Sequence, residues 1–262
     1  LYVYRATKKV SPCVVVTACI HGDETNSFHI ALSVMKKKLQ LKKGTLIIIP
    51  LVNIYGFMNK ARYLPDRKDL NRSFPGLKNG TFGSRFAKFL FDNFSSIGDC
   101  YLDLHSGGSG RYNVPQIRGD LKNRQVKKII DQLSIPLVVN STHRDGSFRQ
   151  ALHHKNKVCL VFEGGEGLRF DEKVTQIGVK LVLSLLKQKG MLAGKSSLLK
   201  NKIYIRKNRW IRAPEGGIII SKYKSGRVIK KNEVIAELRS ITGSLVKRIR
   251  AEEDCLILGV NR

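Results

Sequence analysis

Between Cys13 and about residue 195 the chain alternates short, unbroken apolar runs with segments whose apolar residues recur at helical spacing. The runs are CVVVTACI (13–20), TLIIIPLV (45–52), CYLDLH (100–105), IPLVVN (135–140) and VCLVFE (158–163). They are rich in Val, Ile and Leu without polar alternation, the pattern of strands covered on both faces. Between them Asn26–Leu39, Ser84–Phe94, Leu121–Leu133 and Lys173–Lys189 read as helices, the last with LVLSLL on its apolar face. The alternation predicts an α/β domain over 1–195, with a mixed, mostly parallel sheet flanked by helices.

After Gly190 the texture changes. LAGKSSLLKNK (192–202) reads as a linker, and beyond it come short strand-like runs separated by Gly-containing turns. IRAPEGGIII (211–220) recurs as IRAEEDCLIL (249–258). A near-repeat of this kind predicts a small pseudo-symmetric β-domain over 196–262.

The composition is that of a globular chain, 42% hydrophobic and 26% charged over 262 residues. Apolar stretches such as LIIIPLV (46–52) fall far short of the roughly 20 residues a membrane span needs, so none is expected. Leu1 stands where an initiating Met would, and an N-terminal portion is expected to be missing. The five cysteines form no C-x-x-C pair, and four adjoin strand-like runs where a free thiol behaves as a small hydrophobe. That usage favours a reducing, cytoplasmic setting. The formal charge is +28, but residues 200–262 hold 16 Lys and Arg against 6 Asp and Glu, so most of the excess lies elsewhere. A charge spread in this way argues against a grafted nucleic-acid arm, and no specific nucleic-acid partner is expected.

Four stretches carry candidate chemistry. CIHGDETN (19–26) ends an apolar run in an imidazole and two acids. His21 and Glu24 stand at His-x-x-Glu spacing, and a turn between them, with Gly22 allowing a sharp departure, can aim both at one cation. Imidazole plus carboxylate suits zinc, which keeps an open position when three protein groups bind it. DLHSGGSG (103–110) repeats the arrangement, and His105 can complete a His, Glu, His set because neighbouring strands end on one edge. His105 could alternatively be a core histidine bonded to Asp103 or Ser106.

PLVNIYGFMNKARYLPDRKDLNRSFPG (50–76) reads as too polar for a packed element and too long for a connector. Its Arg62 and Arg72 have the side chains best shaped to hold a carboxylate or a developing oxyanion, and Asn71 can add a directional donor. VFEGGEG (161–167) ends a strand at Glu163. A carboxylate there can act as general base and then general acid, with Glu166 as a competitor one step further into the loop.

In this order, HGDE, the VN…GF…R…P-D…DLNR-x-FPG segment, DLH and the FEGG strand end resemble the succinylglutamate desuccinylase and aspartoacylase family, relatives of the zinc metallocarboxypeptidases. The resemblance covers most of the chain. It implies one zinc ion held by His21, Glu24 and His105. It implies that Asn71 and Arg72 bind the substrate carboxylate, that Arg62 polarises the scissile carbonyl, and that Glu163 is the base. Asp69, in DLNR, would orient a ligating His. The C-terminal part is similar to a barrel-sandwich domain, and the absence of a Met-Lys-Met hairpin gives no reason to expect lipoylation or biotinylation. The family's pattern is departed from in a short HGDE-to-DLH interval and in EGGEG around the base.

The expected activity is zinc-dependent hydrolysis of the amide bond in a small anionic N-acyl amino acid. A metallocarboxypeptidase acting on a peptide or cell-wall stem would use the same residues. A non-catalytic basic binding protein is the alternative of another class, against which the intact set of chemical groups argues.

Overall fold

The computed structural model describes residues 1–196, 199 and 201–261; Ser197, Leu198 and Lys200 of the expected linker, and Arg262, lie outside the described residues. The elements run β1 (Tyr2–Arg5), β2 (Cys13–Ala18), α1 (Thr25–Met35), β3 (Thr45–Ile49), α2 (Ile54–Met58), α3 (Phe82–Phe94), β4 (Cys100–His105) and β5 (Arg111–Gly119). There follow α4 (Arg124–Asp131), β6 (Leu137–Asn140), α5 (Phe148–His154), β7 (Val158–Gly165) and α6 (Glu172–Gln188). The C-terminal region adds β8 (Ile203–Ile205), β9 (Ile218–Ser221), β10 (Val228–Ile229), β11 (Val234–Arg239), β12 (Leu245–Arg250), β13 (Cys255–Leu256) and β14 (Gly259–Asn261).

The large sheet has the order β1-β3-β2-β4-β7-β5-β6-β8, with β14 pairing β5. β2, β3, β4 and β7 are mutually parallel, as are β5, β6 and β8, while β1, β5 and β14 enter antiparallel to their neighbours β3, β7 and β5. Side chains alternate across a strand, so one apolar run must supply two cores. Val14 and Val16 pack with Ile30 and Val34 of α1, Ile129 of α4 and Val182 of α6. Val15, between them, packs on the opposite face with Leu90 and Phe91 of α3 and Leu152 of α5. This double burial is why the runs lack polar alternation.

The fold class is the mixed, mostly parallel α/β sheet that the sequence predicts. The runs become β2, β3, β4, β6 and β7, and the four helical segments become α1, α3, α4 and α6. The stretch 50–76 differs from expectation, because α2, a 3-10 turn at Leu70–Arg72 and the buried Val52, Leu64, Leu70 and Phe74 pin it to the core. β5 goes unpredicted because RYNVPQIRG carries charges and a proline. Pro115 is tolerated where the β5–β7 register shifts between Asn113 and Gln116.

Beyond residue 196 the strands divide. β8 and β14 join the large sheet, while β12-β11-β9 and β10-β13 form two small antiparallel sheets over a minor core of Ile229, Ile235 and Ala251. The first copy of the near-repeat contributes to β9, and the second contributes the end of β12, in the same small sheet, and β13, in the other.

Candidate active site

The parallel strands β2, β4 and β7 deliver their C-terminal ends to one edge of the sheet, where open α/β folds collect their functional groups. β4 ends at His105, whose register partner on β7 is Glu163. After β2 the backbone is left-handed at Cys19, φ 51°, and the expected turn between His21 and Glu24 runs through Gly22 and Asp23, closed by Glu24 N–H donating to His21 O at 3.2 Å. Gly22 is also required by a close approach: a Cβ there would lie 2.0 Å from the backbone carbon of Gly56 and 2.2 Å from Phe57 N. The turn is locked from within, since Ser27 Oγ accepts from Cys19 N–H at 2.9 Å and donates to Glu24 O at 2.6 Å.

This turn brings together the donor atoms of His21, Glu24 and His105, all within 4.8 Å of one another and all buried. His21 Nδ1 lies 2.7 Å from Glu24 Oε1, and His105 Nδ1 lies 2.8 Å from Glu24 Oε2. The other nitrogen of each ring meets a carboxylate: His21 Nε2 is 3.1 Å from Asp69 Oδ1, and His105 Nε2 is 2.7 Å from Asp103 Oδ2. The contact of His105 with Asp103 therefore coexists with its place in the cluster and does not compete with it. Thr17 Oγ1 in turn donates to Asp103 Oδ1 at 2.6 Å.

Charge is concentrated here with little solvent. Burial alone would lower the His105 imidazole, yet Asp103 and Glu24 hold it well above the usual histidine range. Burial opposes His21 in the same way, and Glu24 and Asp69 raise it. Glu24, which burial alone would raise, is held well below the usual carboxylate range by the two histidines. Two imidazoles anchored from behind by carboxylates, with their free nitrogens turned on a shared third carboxylate, form a donor set that suits a divalent cation, which would replace their protons.

Asp69 is the hub of the neighbouring loop. It caps the 3-10 turn by accepting from Asn71 N–H at 2.8 Å, and its Oδ2 accepts from Arg62 Nε at 3.2 Å and Nη2 at 2.9 Å. Arg62 Nη1 also reaches Glu24 Oε1 at 3.5 Å, while its side chain stays 26% exposed and so open to a ligand. Asn71 Oδ1 accepts from Phe148 N–H at 2.9 Å, leaving its amide nitrogen as the group for a ligand. Arg72 is exposed and stands beside it.

These residues face one cleft of about 800 Å³, lined by His21, Glu24, Arg62, Asn71, Arg72, His105 and Glu163. Asp69 stands behind Arg62 and His21. Glu166 is buried and bonded to Arg169 Nε, outside the lining. Asp23 turns from the His-Glu-His cluster to accept from Ser109 N–H at 3.3 Å, tying together the two loops that carry it.

Several lining residues escape sequence reasoning. β5 contributes Asn113, whose Nδ2 donates to Glu163 Oε2 at 2.9 Å, and Arg118, whose Nη1 is 3.7 Å from Glu163 Oε1. Arg144 and Arg149 come from α5 and the loop before it, and Trp210, Arg212 and Asn261 from the C-terminal region. Alternation along β5 is the only local signal for its residues, and a charged, proline-bearing strand obscures it.

Residues 10–188 match the family model for the succinylglutamate desuccinylase/aspartoacylase catalytic domain. The N-alpha-acetyl-L-2,4-diaminobutyric acid deacetylase of Halomonas elongata is 25% identical, over 93% of this chain and 75% of that protein. The product-bound ectoine utilization protein EutE (DoeB) from Ruegeria pomeroyi superposes with a TM-score of 0.87 at 23% identity, covering 98% of this chain and 82% of that one. A succinylglutamate desuccinylase/aspartoacylase from Rhodobacter sphaeroides gives a TM-score of 0.85 at 22% identity, over 97% and 81% of the two chains. At these identities the structural likeness speaks for the fold.

Proposed function

The chain belongs to the succinylglutamate desuccinylase/aspartoacylase family, and from that premise we propose that it hydrolyses the amide bond of a small, anionic N-acyl amino acid with one zinc ion. The observation that supports this most is the meeting, in one cleft, of a buried His-Glu-His donor set with Arg62, Arg72 and Glu163. The deacetylase relative is named for an N-acetyl amino acid, in keeping with this substrate class.

His21, Glu24 and His105 would hold the ion. Zinc, when bound, supplies Lewis acidity toward the scissile carbonyl and toward water, which brings hydrolysis into reach near neutral pH. The remaining work falls to the chain's own groups. Arg72 and the Asn71 amide take the free carboxylate through directional, charge-assisted hydrogen bonds. Arg62, fixed by its two bonds to Asp69, faces the carbonyl oxygen as negative charge develops there. Glu163 accepts the proton of the attacking water and returns it to the departing nitrogen. In this reading residues 1–195 carry the chemistry, and 196–262 add Trp210, Arg212 and Asn261 to the cleft wall, which suits a small substrate over a peptide. All five cysteines are free, in keeping with a reducing, cytoplasmic setting. Independently of that setting, no described helix is long and apolar enough to cross a membrane.

The test is metal analysis of the purified protein followed by turnover of N-acetyl and N-succinyl amino acids alongside short peptides. One bound zinc and release of free amino acid are expected, with both lost in His105→Ala. A zinc-stripped His105→Ala protein that still hydrolysed these compounds at the parental rate would overturn the reading.

A further inference from the structure

Asn113 of β5 is 6% exposed and sits between two elements distant in sequence. On one side its Nδ2 donates to Glu163 Oε2 at 2.9 Å. On the other it is the register partner of Gly259 on β14. A Cβ on Gly259 would lie 2.5 Å from Asn113 Oδ1, closer than any real contact, and next 3.3 Å from Tyr112 O. β14 cannot drift away to relieve this, because Val114 N–H also donates to Leu258 O at 2.9 Å.

The amide has two ends of opposite character. Its nitrogen can serve the Glu163 carboxylate, which only accepts, whereas its oxygen would repel it. The oxygen must therefore point elsewhere, and it points into the space that the missing side chain of Gly259 leaves. Arg118 Nη1, at 3.7 Å, is too far to replace the lost donor.

We propose that Asn113 and Gly259 are positioning residues for Glu163: the C-terminal strand, by carrying glycine at 259, leaves room for the Asn113 amide to hold the carboxylate in its working orientation. The inference rests on Glu163 being the base. It ties the last strand of the chain to the reaction without any contact between that glycine and substrate. A base displaced by about 1 Å costs on the order of 100-fold in rate, so the effect belongs in kcat.

The experiment compares Asn113→Ala, Gly259→Ala and the double variant in the zinc-loaded, full-length protein, with the N-acyl amino acid that the parent turns over fastest. Each single variant is expected to lose about 10- to 100-fold in kcat with KM and zinc content unchanged. The double variant is expected to lose no more than Asn113→Ala alone, since the amide oxygen that the added methyl group would strike is gone. Losses that multiply in the double variant, or parental kcat in either single one, overturn the proposal. Should Gly259→Ala alone fail to fold, recovery of the fold in the double variant is expected, and continued unfolding overturns the steric link.

A readout without substrate accompanies this. In asparagine-labelled protein the Asn113 side-chain amide resonance is expected to shift in both Gly259→Ala and Glu163→Gln, and an unmoved resonance overturns the contact. Glu163→Gln also separates the two claims. Parental turnover there refutes Glu163 as base; an inactive Glu163→Gln beside a fully active Asn113→Ala refutes only the positioning role.

Discussion

Asp103 and His105 share a buried hydrogen bond, Oδ2 to Nε2 at 2.7 Å, and Asp103 is itself fixed through its other oxygen by Thr17 Oγ1 at 2.6 Å. The pair faces the same side of β4, two residues apart, so the strand itself sets the geometry. Holding Nε2 leaves Nδ1 directed at Glu24. Asp103→Asn is expected to weaken zinc binding about 10- to 100-fold, measured by competition with a chromogenic chelator. Thr17→Val is expected to act in the same direction with a smaller effect, and unchanged affinity in both would remove Asp103 from the metal's support.

Zinc binding to a site assembled only in the folded chain should stabilise it. At free zinc about 1,000 times its dissociation constant the gain is about 4 kcal/mol, visible as a raised thermal midpoint. Chelation is expected to reverse the shift, and His105→Ala to abolish it. A midpoint insensitive to zinc in the parent protein would count against the donor set.

Arg62 and Arg72 should fail in different ways. In the proposed role, Arg72→Ala would remove a charged hydrogen bond made equally in ground and transition states, so KM is expected to rise about 10- to 100-fold with kcat little changed. Arg62→Ala would, in its proposed role, remove a donor aimed at developing charge, and kcat is expected to fall about 100- to 1,000-fold. Steady-state kinetics on both variants distinguishes the roles, and the reverse pattern would exchange them.

His143 gives a pH dependence away from the His-Glu-His cluster. Burial, with the nearby Arg149 charge, pushes its imidazole down to about 4, and its Nδ1 is buried without a partner among the described residues. The unfolded chain takes up that proton near pH 6.5, so between 6.5 and about 4 it binds more protons than the folded state. Stability is therefore expected to fall as pH drops through this window and to level off below it. His143→Gln should flatten that part of a thermal-midpoint-against-pH curve, and an unchanged slope would exclude the residue.

Most of the sheet and the candidate residues His21, Glu24 and His105 that the structure gathers were legible because each rests on a local signal. An apolar run buried on both faces announces a strand, and a His at its end followed by glycine announces a loop built for a purpose. Arg62, Asp69, Asn71 and Arg72 lie in one stretch with a motif of its own. Gly22 shows a half that the sequence carries and a half that it does not: the turn from His21 to Glu24 is local, whereas the left-handed backbone at Cys19 and the close approach of Gly56 and Phe57 are not.

The sequence alone determined which residues could carry the chemistry and on which strand ends they stand, because composition and periodicity are properties of neighbours along the chain. The tertiary structure alone decided what lies behind and beside them. The pairing of Asp69 with His21, the Asn113 donor to Glu163, and the seat that Gly259 leaves for that amide join residues 48, 50 and 146 positions apart. No local pattern encodes such contacts. They follow from strand order and register, which the whole core sets by burying both faces of one sheet at once.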